Sequence, residues 1–229
     1  MTLFIVGTGR CGTKTLATLH QRQGHDAHHE SNIETTVEVA ARYAADPEGT
    51  HDAVVALLRS GFFRVGDIEA DYKLSELIEP LLEARPDSAF LWLHRRPLDT
   101  VRSMMSKGWY ADGEEDYLPF TFQWWGLDDG KATMMFDVNW RAFRTTGPLV
   151  GDMTLREWRA LGQAGRCAWW WQWCNMRIRD TLPAGSARMP IESVSGLRIN
   201  RSKPIGLSAG ETRLVDEICG PLESALYSL

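Results

Sequence analysis

The segment LFIVGTGRCGTKT, residues 3 to 15, constrains the fold more than any other part of the chain. A short apolar run ended by glycines reads as a strand, 3–7, buried on both faces. Hydroxyl and cationic residues then open a helix over 13–21. A strand, a glycine turn and a helix in this order begin a parallel α/β sheet. Ligands of such sheets bind beyond the carboxyl ends of the strands.

The remaining pattern predicts helices near 34–45 and 51–59, a strand in FFRVGD (62–67), and a helix over 73–84 with Pro80 as a local flaw. SAFLWLH (88–94) predicts a strand, followed at once by a helix whose first turn suits Pro97. Thr154 with Glu157, and Ser208 with Glu211, have capping-box spacing and mark two helix starts, the first helix running to about 181. ARMPIE predicts a short strand before the basic loop RINRSKP. The expected fold is an α/β domain with a central parallel sheet flanked by helices, covering 1–229, with an irregular Trp-rich insertion at about 109–150.

A chain of 229 residues can bury a sound core. Its net charge of −5 argues against a nucleic-acid partner. Cys11, Cys167, Cys174 and Cys219 form no CxxC pair, metal spacing or disulfide framework, so a reducing, cytoplasmic setting is expected. The first residues go straight into TLFIVG with no basic n-region, long apolar run or membrane span, so no leader or anchor is expected.

Gly7, Gly9 and Gly12 fit G-x-G-x-x-G, with Glu30 near the position of a ribose-binding acid. The second strand of that fold would have to be HDAHHE, which is too polar to be buried on both faces. The residues after Gly12 are Thr13, Lys14 and Thr15, where a dinucleotide fold packs small apolar side chains. Hydroxyls and a cation at a helix start suit a phosphate or sulfate instead. A nucleoside triphosphate P-loop is awkward, because its lysine should directly follow the glycine and here comes one residue late. No strong strand ending in a metal-binding Asp is evident in the sequence either.

VGTGRCGTKTL resembles the 5′-phosphosulfate loop of the sulfotransferases, which commonly reads (K/R)-S-G-T-(T/S) after a first strand. LHRRPLDTVRSM is similar to that family's 3′-phosphate motif, with Arg95, Pro97, Asp99 and Ser103 at its spacings. INRSKP and SAGETRLVDEICGPL look like its carboxyl-terminal segment. Cys11 replaces the usual Ser, and Lys14 stands where Thr or Ser is common. The resemblance implies a P-loop NTPase-like sulfotransferase architecture and the donor 3′-phosphoadenosine 5′-phosphosulfate, with no metal expected. Its sulfuryl group would pass to a hydroxyl or amine of a small-molecule or glycan acceptor.

On this reading Arg10 serves the bridging oxygen of the leaving phosphosulfate and Lys14 its outer oxygens. Gly9, Cys11, Gly12, Thr13 and Thr15 complete the donor loop. Arg95 and Ser103 hold the 3′-phosphate, and Arg201 or Lys203 closes over it. Glu30 is the expected base, with His29 second, at about the place where several family members carry a catalytic Glu. Two rival readings are a P-loop kinase of a small metabolite using ATP–Mg²⁺ and a non-catalytic phosphonucleotide-binding protein.

Plainer roles compete for other residues. Lys107 reads as neutralising a helix end, and Asp67 and Asp71 as caps. In WWWQW (169–173) the helical turn points Trp169, Trp170 and Trp171 three ways. Trp169 and Trp173 then share a core face, and one or two of the set could line a cleft. Trp109, Trp124, Trp125 and Trp140 are better placed for acceptor contact, a lid or a homodimer contact.

Overall fold

The computed structural model of the chain describes residues 1–60, 63, 65–111, 144–194 and 205–228. Their strands form one parallel sheet of β1 (Leu3–Val6), β2 (Ala27–His29), β3 (Ile68–Ala70), β4 (Ala89–His94) and β5 (Ala187–Pro190). The order is β2-β3-β1-β4-β5, and Leu3 of β1 lies in register with Ile68 on one side and Ala89 on the other. A dinucleotide fold runs 3-2-1-4-5-6, with its second strand beside its first. Here β3 takes that place and β2 is an edge.

Two strand expectations need correction. HDAHHE does contribute a strand, because an edge position leaves His28 and His29 only half-buried. The strand expected at 62–67 is instead β3, just downstream. Phe63 leaves the sheet to pack among the helices. The real strand is masked in the sequence by Glu69 at its centre.

Alternation along the strands makes two cores. On one face Ile5, Ala27, Ile68, Ala70 and Leu93 meet Leu16 and Ala17 of α1 (Thr13–Arg22). On the other, Phe4, Val6, Phe90 and Trp92 face a thick helical layer. That layer comprises α2 (Ile33–Ala45), α3 (Pro47–Arg59), α4 (Ile78–Ala84), α5 (Pro97–Met105), α6 (Leu155–Ala160), α7 (Gly162–Thr181) and α8 (Ala209–Tyr227).

The helix expected over 73–84 is divided into a 3₁₀ turn, Tyr72–Glu76, and α4. Pro80 thereby falls in the first turn of α4, where a missing N–H leaves no hydrogen bond unmade. The helix expected to run from 154 to about 181 breaks between α6 and α7, where Gly162 takes φ +61. Both capping boxes form: Thr154 Oγ1 and Ser208 Oγ each accept the N–H of the following Glu157 or Glu211 at 3.2 Å.

The middle of α7 is buried on nearly every side because its neighbours enclose it. Trp169, Trp170 and Trp171 are all buried, so of the tryptophans in this run only the half-buried Trp173 is left to line a cleft. Trp169 does stack on Trp173, at 5.6 Å between ring centroids. Trp109 is buried against Tyr72. Trp124, Trp125, Trp140 and most of the expected insertion lie outside the described residues. All four cysteines are buried. No described helix is long and apolar enough to cross a membrane.

Candidate functional site

Parallel strands deliver their successors to one end of the sheet, beyond the carboxyl ends of the strands. The glycine loop follows β1, Glu30 follows β2, Asp71 follows β3, Arg95 follows β4, and Ile191 follows β5. The site is built from these five strand ends.

The loop is pinned from below. Gly7 N–H donates to Ser75 Oγ at 2.9 Å, and the Ser75 hydroxyl donates to Gly7 O at 2.8 Å. Trp170 Nε1–H donates to Thr8 O at 2.7 Å, and Trp171 Nε1–H donates to Arg95 O at 2.9 Å. The tryptophan run is therefore a pair of posts, one under the loop and one under the β4 terminus. Arg10 adopts a left-handed backbone, φ +55, which is uncommon for a side-chain-bearing residue and concentrates at functional positions. Helix α1 starts at a glycine N-cap that makes no side-chain cap hydrogen bond, and helix starts of this kind favour anions.

Arg10 Nε donates to Ser103 Oγ at 3.1 Å, and Arg95 Nη1 donates to the Arg10 carbonyl at 3.3 Å. The two stretches singled out in the sequence thus meet. Burial and then the charge of Arg95 hold the Arg10 pKa below its ordinary value. Cations packed this closely repel one another, and an anion between them would relieve that repulsion. Lys14 is exposed on the first turn of α1, and Thr15 is half-buried beside it. The Cys11 side chain turns into the core with Ile5 and Leu93, and burial pushes its thiol up to about 11. That leaves only its main chain for a loop ligand. Gly9 lies so close to the rings of Trp109 and Tyr72 that no side chain fits there. Arg201 and Lys203 fall outside the described residues.

Across the loop, Thr13 Oγ1 lies 3.2 Å from His29 Nε2, and that nitrogen lies 3.6 Å from Glu30 Oε1. Burial, then the charges of Lys14 and Arg10, lower His29 to about 4. The imidazole is neutral at pH 7, so its contact with Glu30 is not an ion pair. Burial raises the Glu30 pKa and Glu69 adds to the rise, while Lys14, Arg10 and Lys73 oppose it. A half-buried carboxyl in this balance is better suited to take a proton than a histidine already depressed to about 4. Glu30 also has a left-handed backbone, φ +56.

Sequence reasoning missed the floor of the site. Asp71 does cap, accepting Lys73 N–H at 2.8 Å, but it also accepts the Thr36 hydroxyl at 2.9 Å, and burial pushes it up to about 7. It follows the strand beside β1, so a strand end carrying Asp does exist. Lys73 and Glu76 form a fully buried ion pair at 2.9 Å, and Glu76 also accepts the Thr145 hydroxyl. Their i, i+3 spacing within an apolar run was the available signal. Lys107 is exposed just beyond α5. Among the described residues no cluster of His, Cys, Asp and Glu is arranged to hold a metal ion. No protein-family model matches this chain, and no curated protein matches it.

Proposed function

We propose that the chain is a sulfotransferase using 3′-phosphoadenosine 5′-phosphosulfate. The observation that carries the reading is the junction of the glycine loop with Arg95 and Ser103, made through Arg10. It offers an uncapped helix start for the 5′ end of the donor and a forked cation with a hydroxyl for the 3′-phosphate.

The chemistry follows from those groups. The acceptor oxygen attacks sulfur in line, the bond from sulfur to the bridging phosphate oxygen breaks, and the acceptor proton passes to Glu30. The products are a sulfate ester and adenosine 3′,5′-bisphosphate. Arg10 and Lys14 meet the charge that develops on the bridging and outer oxygens. Donors aimed in this way contribute about 3 kcal/mol each. Thr13 and Gly12 supply main-chain N–H groups at the same helix start.

Asp71, closing the strand beside β1, favours a second reading as an ATP–Mg²⁺ kinase. Both Asp71 oxygens are already engaged, by Thr36 and by the Lys73 N–H, which favours the first reading. Thermal-shift titration separates the two. Adenosine 3′,5′-bisphosphate at 100 times its Kd should stabilise the protein by about 2.7 kcal/mol without metal. Stabilisation by ATP–Mg²⁺ alone would overturn the proposal.

A further inference from the structure

Building on the sulfuryl-transfer reading, we propose that Glu69 is a positioning residue that holds Glu30, the base, in its left-handed turn by gripping Ser31. The ladder between β2 and β3 ends with His29 opposite Ala70. Beyond it the chain must turn sharply, and Glu30 does so at φ +56, a sparsely populated conformation that persists only where its surroundings over-determine it. Two clamps supply that determination. Glu30 N–H donates to Ala70 O at 3.2 Å. Ser31 N–H donates to Glu69 Oε1 at 3.1 Å, and the Ser31 hydroxyl donates to Glu69 Oε2 at 2.5 Å.

Glu69 is an expensive way to build a strand. It is the middle residue of three, between Ile68 and Ala70, in register with Phe4, and only 1% exposed. Burying a carboxyl there sacrifices hydration that an apolar residue would not lose. Pairing of β2 with β3 does not need it, because the backbone register already joins them. Both carboxyl oxygens instead reach past the ladder to the residue following Glu30. Glu69 also opposes Arg10, Lys14 and Lys73 in setting the proton affinity of Glu30. One side chain thus holds the direction of the base and adds a lesser contribution to its electrostatic surroundings.

The test compares wild type, Glu69→Gln, Ser31→Ala, Glu30→Gln and the Glu69→Gln/Glu30→Gln double variant. Amide hydrogen exchange at residues 30 and 31 is followed beside sulfuryl-transfer kinetics and adenosine 3′,5′-bisphosphate binding. In Glu69→Gln both amides should exchange faster and kcat should fall about tenfold or more, the scale of one charge-assisted hydrogen bond. Donor KM and bisphosphate affinity should stay within about twofold, since the donor loop is untouched. In the Glu30→Gln background the Glu69 substitution should have almost no further effect on kcat. Ser31 is exposed, so Ser31→Ala should fold normally and move kcat and exchange the same way by less. Unchanged exchange in both variants, or an equal kcat loss with and without Glu30, overturns the proposal. A wild-type protein that neither binds the bisphosphate nor transfers sulfuryl defeats the functional reading alone, because the exchange measurement still decides whether Glu69 holds the turn.

Discussion

Arg10 Nε and Ser103 Oγ lie 3.1 Å apart although 93 residues separate them in the chain. That bond, with Arg95 on the Arg10 carbonyl, ties the loop both to α5 and to the residue that follows β4. If Arg95 reads the 3′-phosphate, Arg95→Ala should weaken adenosine 3′,5′-bisphosphate about 10- to 100-fold, the range of a hydrogen bond to a charged group. Adenosine 5′-monophosphate, which has no such anion, should lose much less. Isothermal titration of both nucleotides decides it, and equal losses would remove Arg95 from that role.

Gly12 tests whether the loop conformation is enforced by the fold. It caps α1 at φ +104, and a Cβ there would approach Ile191 Cγ1 to 2.7 Å. Ile191 follows β5, so the clash would reach from the loop to the far strand. Gly12→Ala should cost about 1–3 kcal/mol, read as a lower urea midpoint with unchanged slope, and should weaken bisphosphate binding. Gly210 is the contrast: on α8 an added methyl meets nothing within 4 Å. Gly210→Ala should be neutral or stabilising by up to about 1 kcal/mol. Equal behaviour of the two variants would contradict the enforced loop.

For the two central strands legibility followed local composition. LFIV and AFLWLH are apolar because β1 and β4 lie inside the sheet, and both were readable. The edge strand AHH and the Glu69-bearing IEA carry polar residues whose reasons lie in tertiary partners, so neither could be placed from local pattern. The site divides in the same way. Arg10, Arg95, Ser103 and Glu30 sit at motif spacings and just after strands, where a parallel sheet gathers its functional groups. Glu69 and the second bond of Asp71 stayed hidden because their strand was misplaced. The indole bonds from Trp170 and Trp171 to the site carbonyls had no local signature at all.

Asp71 gives the fold a pH dependence of unusual sign. Burial pushes its carboxyl up to about 7, whereas an unfolded aspartate titrates near about 3.9. The folded state therefore binds the proton more tightly between those values. The Asp71 contribution is present in full below the unfolded pKa and is lost as pH rises through about 7. His29 and His94 act oppositely. Burial lowers both to about 4, so their contribution is present above the unfolded histidine value and is lost as pH falls toward about 4. Asp71→Asn isolates the first effect. Asparagine Oδ1 can still accept the Lys73 N–H, and Thr36 can turn its hydroxyl to Asn32 O, 3.2 Å away, while accepting from the new amide. Compared with wild type, the variant should gain on the order of 2 kcal/mol between pH 5 and pH 8, because it never carries the buried charge. Urea unfolding at both pH values measures the difference. A gap between variant and wild type that does not change with pH would show that Asp71 titrates alike in the folded and unfolded chains.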